Sequence, residues 1–104
     1  MRKPVRCVQP LGAAIPIVLD SPHSGRHYPA DFYTRLTRLK LQHLEDGFVD
    51  ELFAHAPSIG ATLVAAEFPR TYIDPNRAIN DIDQSALAEA WPGLARPTQK
   101  ALLG

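Results

Sequence analysis

"IPIVLDSPHSG", residues 15–25, frames the reading of the whole chain. An apolar run (Ile15, Pro16, Ile17, Val18, Leu19) stops at Asp20, and Ser21, Pro22, His23, Ser24 and Gly25 follow as a turn. Both alternate faces of the run are apolar. That pattern predicts a short buried strand over residues 15–20, of the kind found in a parallel sheet covered by helices. Its carboxyl end delivers a histidine into a tight turn.

Working outward, "EDGFVDELFAHAPSIG" (45–60) places Phe48, Val49, Leu52, Phe53 and Ala56 on one stripe at helical spacing. Asp46 is positioned to cap that helix, and Pro57 and Gly60 mark its end. "ATLVAAEF" (61–68) then reads as a second buried strand. Strand, helix, strand is the unit of a right-handed parallel crossover, whose two strands end on the same edge of the sheet. Ligands of open α/β sheets bind outside such ends. "SPHSG" and "PRTYIDPNR", remote in sequence, are therefore expected to face one another across one crevice. Elsewhere, leucines at 36, 39, 41 and 44 suggest one or two helical turns, and further short helices are expected near residues 85–90 and after Pro97.

The chain has 104 residues, 45% hydrophobic and 21% charged, which fits one soluble domain with a modest core. Eleven basic residues balance eleven acidic ones, leaving no field to attract nucleic acid or an acidic membrane. No apolar run approaches a membrane span, and no hydrophobic segment of signal-peptide length follows the basic N-terminus, so a cytoplasmic location is expected. Cys7 is the lone cysteine. It permits neither an internal disulfide nor a thiolate zinc site, and is expected as a small buried or edge residue.

His23, gripped between a proline and a Ser-Gly turn, is either a metal ligand or a turn histidine. Arg70 and Arg77 flank Asp74 and Asn76 just beyond a buried strand. They form either a binding loop, whose guanidinium forks suit a carboxylate, or a surface pair bridged to Asp74, Asp81 or Asp83. Asp46 is a helix cap, a metal ligand, or both; Asp50 is solvated or the partner of an arginine. His27, His43 and His55 have no partner at ligand spacing and are taken as non-ligands. Ser24 lacks the G-x-S-x-G surroundings of a nucleophile elbow, and glycine-rich phosphate loops are absent.

"SPHSGRHYP", "DGFVDELF" and "FPRTYIDPNRAINDID", in this order over residues 15–83, resemble the N-terminal half of the N-formylglutamate amidohydrolase family, zinc enzymes related in fold to the zinc carboxypeptidases. The resemblance implies an α/β fold, a partial three-layer sandwich with a mostly parallel or mixed sheet flanked by helices, zinc-carboxypeptidase-like (phosphorylase/hydrolase-like). It implies hydrolysis of the formyl amide of N-formyl-L-glutamate, or a related N-acyl amino acid, to formate and the amino acid. His23 corresponds to the family's zinc-binding histidine. "DPNR" is similar to the carboxypeptidase "DLNR", whose Asn and Arg bind the substrate carboxylate; that correspondence falls on Asn76 and Arg77, with Arg70 as a second clamp.

One departure is local. Carboxypeptidases carry a glutamate three residues after the first histidine, where this chain has Arg26, so Asp46 becomes the candidate second ligand. The family also continues well past the equivalent of Gly104, with a further histidine ligand and a catalytic carboxylate. Residues 1–104 are accordingly expected to be the N-terminal portion of an amidohydrolase domain, with Zn2+ as cofactor and a small carboxylate as substrate. A metal-free carboxylate-binding module and an inactive truncated relic are the alternatives.

Overall fold

The computed structural model describes residues 2–99. Three strands form one mixed sheet: β1 (Val5–Val8), β2 (Val18–Ser21) and β3 (Thr62–Ala66), in the order β1-β3-β2. β2 and β3 are parallel neighbours, with Val18 opposite Thr62 and Ser21 opposite Ala65, so the expected crossover is present. β3 is central because its alternation works on both edges. Leu63 and Ala65 point into the core, while Thr62, Val64 and Ala66 are half-buried.

β1 was not anticipated. "VRCV" has no strong apolar signature, and all its residues but Val8 are exposed. Its strand character comes from the antiparallel ladder with β3, Val5 opposite Ala66 and Val8 opposite Leu63. Cys7 lies on this edge strand and is exposed, so the edge alternative holds and the buried one does not.

β2 departs from expectation in two respects. It begins at Val18 rather than residue 15, because Ile15 N–H is drawn to the Gly60 carbonyl (2.9 Å) and leaves the strand path. It is also an edge strand with Val18 exposed, not a strand buried on both faces.

The predicted helix over 46–56 is broken into pieces. Phe48 adopts a left-handed backbone (φ 67°), which no continuous helix tolerates, so α2 covers only Val49–Leu52 and a 3-10 turn spans Ala56–Ile59. Phe48, not Asp46, precedes α2, and no side chain caps it; the N-cap reading of Asp46 is therefore overturned. Of the apolar stripe, Ala56 is buried while Phe48, Leu52 and Phe53 remain exposed. Pro57 lies within the 3-10 turn, and Gly60 ends it with φ 98°.

The leucine-rich stretch yields α1 (Arg38–His43), capped by Thr37, whose Oγ1 accepts from Lys40 N–H at 3.3 Å. Near residue 85 the helix is a 3-10 turn, Gln84–Ala86, with Asp83 Oδ1 accepting from Ser85 N–H. The helix expected after Pro97 lies almost wholly outside the described residues. Among the described residues no helix is long and apolar enough to cross a membrane.

Candidate active site

The turn after β2 is built from its own small residues. Ser21 and Ser24 are buried and share a hydroxyl–hydroxyl hydrogen bond of 2.6 Å, which closes the turn around Pro22 and His23. Gly25 packs against the end of β3 so closely that a Cβ there would overlap the Phe68 carbonyl. His27 N–H then donates to the Glu67 carbonyl at 2.9 Å. "SPHSG" is thereby pressed onto Glu67 and Phe68, the two residues that lead from β3 into "PRTYIDPNR", on the edge that the crossover predicted.

Across this crevice the His23 ring, only 11% exposed, meets two carboxylates. Nε2 lies 2.8 Å from Asp74 Oδ1, and Nδ1 lies 3.3 Å from Asp46 Oδ2. Asp46 is brought there by its backbone, whose N–H donates to the His23 carbonyl at 3.1 Å. Its side chain is more than half exposed, facing solvent on one side and the imidazole on the other.

Asp74 is the hub. Its Oδ1 accepts the Asn76 N–H at 2.9 Å, the local turn that an aspartate before proline favours, and its Oδ2 accepts from Arg70 at 2.8 Å. Burial by itself would raise the Asp74 pKa, but the Asn76 N–H, His23 and the Arg70 guanidinium together outweigh it and hold the group below its ordinary value. Asp74 is therefore an ionised acceptor, which assigns the proton at His23 Nε2.

That assignment constrains Nδ1. In a neutral imidazole donating from Nε2, Nδ1 carries a lone pair, and a lone pair facing a carboxylate at 3.3 Å leaves two acceptors opposed. The arrangement is satisfied either by a second ring proton or by a cation between Nδ1 and Oδ2. A histidine whose far nitrogen donates to a carboxylate while its near nitrogen shares a cation with an acidic ligand is a common metal-site pattern. The pair thus fits a divalent metal as donor chemistry. Among the described residues no group of three or more His, Cys, Asp or Glu side chains is arranged to hold one.

The two arginines differ. Arg70 is committed to Asp74, whereas Arg77 Nε sits 3.8 Å from Asp74 and 3.9 Å from Asp81, beyond hydrogen-bond reach and within ion-pair range only. Both are a quarter exposed. The Asn76 side chain is exposed, and its backbone N–H is what reaches Asp74. Asp50 is an arginine partner, 3.0 Å from Arg6, which also bridges to Glu67 at 2.9 Å. His27, His43 and His55 are exposed.

The sequence offered Asp74 as a partner of the two arginines, which its pairing with Arg70 bears out, but not as the partner of His23. The signal was present in "DPNR": an aspartate locked by the following proline at the mouth of the crevice that His23 enters. Glu45 gave no such signal. It accepts from Tyr28 and Thr71, residues on the two loops flanking the site.

A family model described as N-formylglutamate amidohydrolase matches residues 15–102. A search of curated protein sequences finds no match. Among solved structures, the chain is similar to the crystal structure of N-formylglutamate amidohydrolase from Ralstonia eutropha JMP134, with 48% identity and a TM-score of 0.85 over 97% of this chain. The match spans 36% of that protein's length. A match across the strand–turn–strand unit and both site loops leads to one conclusion: the chain belongs to the N-formylglutamate amidohydrolase family.

Proposed function

We propose that this chain contributes part of the active site of a zinc-dependent amidohydrolase that cleaves the formyl amide of N-formyl-L-glutamate, or of a closely related N-acyl amino acid, giving formate and the free amino acid. The observation that carries the reading is the His23 ring, held by Asp74 on one nitrogen and facing Asp46 at 3.3 Å on the other.

His23 and Asp46 would hold the metal. Bound zinc supplies Lewis acidity toward the formyl oxygen and a nucleophilic water near neutral pH. Asp74 keeps the imidazole in the tautomer and orientation that leaves Nδ1 free to coordinate. The Arg77 guanidinium, ion-paired with Asp74 and Asp81 at 3.8 and 3.9 Å but hydrogen-bonded to neither, would turn its fork to a substrate carboxylate; Arg70 supports it electrostatically while anchored to Asp74. Asn76, exposed beside them, completes the carboxylate-binding loop. Fixing the dicarboxylate there orients the formyl carbon toward His23 and Asp46. Catalytic zinc uses three protein ligands, so the reading requires a third ligand and a proton-transferring carboxylate from outside residues 2–99. The carboxypeptidase-like three-layer architecture belongs to the same reading.

The test is zinc content and formate release from N-formyl-L-glutamate, measured on the chain extended by the downstream sequence that supplies the missing ligand, and on His23→Ala in that same extended form. Stoichiometric zinc and turnover, both lost in the variant, are expected. Unchanged metal content in His23→Ala removes the ligand assignment, and carboxylate binding without zinc in either protein favours the metal-free binding module.

A further inference from the structure

Asp46 sits in a precarious place for a ligand. Gly47 and the left-handed Phe48 follow it, α2 begins only at Val49, and no regular element holds its backbone. Apart from the Asp46 N–H bond to the His23 carbonyl and a long Val49 N–H bond to the Asp46 carbonyl (3.5 Å), the fastening falls to the preceding residue. Both Glu45 carboxylate oxygens lie 2.8 Å from Tyr28 Oη, and Oε1 also accepts from Thr71 Oγ1 at 2.9 Å.

Those two donors come from the two other loops of the site. Tyr28 lies five residues beyond His23, and Thr71 three residues before Asp74. Tyr28 is itself fixed, with the Arg38 guanidinium 4.0 Å from its ring centre and Phe32 edge-on at 6.1 Å. One half-buried carboxylate therefore ties together the segments that carry His23, Asp46 and Asp74.

We propose that Glu45 is a positioning residue: by bonding Tyr28 and Thr71 it sets the Asp46 carboxylate opposite His23 Nδ1 and so governs the affinity of that pair for a metal ion. The inference rests on the reading of His23 and Asp46 as ligands.

The test measures Zn2+ affinity by competition with a chromophoric chelator, alongside urea unfolding, for the chain extended by the downstream sequence that supplies the third ligand, unaltered and as Glu45→Ala, Glu45→Gln and the control Arg6→Ala. Loss of an outer-shell partner weakens metal binding roughly tenfold or more, and this is expected for Glu45→Ala. Glu45→Gln keeps an oxygen that accepts from Tyr28 or Thr71 and should recover most of the affinity. Arg6→Ala, which removes ion pairs elsewhere, should lower stability and leave affinity unchanged. Should Glu45→Ala fail to fold, Tyr28→Phe and Thr71→Val each remove one donor and are expected to weaken binding individually. Wild-type affinity in Glu45→Ala, or in both single-donor variants, overturns the positioning role while leaving the ligand pair standing. Absence of zinc binding by the unaltered chain overturns the ligand pair, and the inference with it.

Discussion

Replacing Asp74 by asparagine keeps the side chain's shape and removes its charge. Asn Oδ1 can still accept from the Asn76 N–H or from His23 Nε2, but the amide nitrogen is then turned toward Arg70, a donor against a donor. A hydrogen bond to a charged partner is worth about 1 kcal/mol more than a neutral one, and three such bonds converge here, giving about 3 kcal/mol. Arg70 is a quarter exposed, so solvent screening lowers the expectation to about 2 kcal/mol. The pH dependence has a definite sign. The folded-state pKa of Asp74 lies below its ordinary value of 3.8, so its contribution is present above that value and is lost as pH falls through the folded pKa. Urea unfolding of wild type and Asp74→Asn should therefore differ by about 2 kcal/mol at neutral pH, and the gap should close on acidification below about pH 4. Zinc affinity should fall in parallel, because a neutral amide oxygen holds the His23 Nε2–H more weakly than the carboxylate and leaves the imidazole a poorer ligand. An Asp74→Asn variant with wild-type stability across the whole acid range and wild-type zinc affinity would refute the hub assignment.

Arg77→Ala should raise KM for N-formyl-L-glutamate by roughly 10- to 100-fold with a smaller change in kcat, the signature of lost ground-state binding, and steady-state kinetics decide it. The Tyr28 hydroxyl is pushed up to about 12 by burial first and by its bonds and charge repulsion with Glu45 second. Spectrophotometric titration should place it there in the wild type and closer to 10 in Glu45→Gln. Because the folded-state value is raised, Tyr28 contributes stability that is intact below pH 10 and declines as pH rises through about 12. Gly25→Ala drives a Cβ onto the Phe68 carbonyl, backbone against backbone, so a loss of about 2 kcal/mol or more in unfolding free energy is expected; equal denaturation midpoints would show that the His23 turn does not rest on β3.

Alternation and turn chemistry were sufficient, from the residues alone, to find β3, to place His23 at the carboxyl end of β2 and to bring its turn against the loop after β3, because a parallel crossover leaves both loops on one edge. Local pattern could not show β1, whose four residues become a strand only by pairing with β3 across some sixty positions of sequence. Nor could it foresee that Phe48 would turn left-handed and break a helix whose apolar stripe looked continuous. The site divides in the same way. Residue type nominated His23, Asp46, Arg70, Asn76 and Arg77. Tertiary structure decided that Arg70 is hydrogen-bonded to Asp74 while Arg77 is only within ion-pair range of it, that Asp74 meets one ring nitrogen of His23 and Asp46 the other, and that Glu45 bonds Tyr28 and Thr71. Those choices depend on angstrom-scale distances between chain segments 23 to 51 residues apart, which follow from strand register and loop path and leave no trace in the spacing of any one motif.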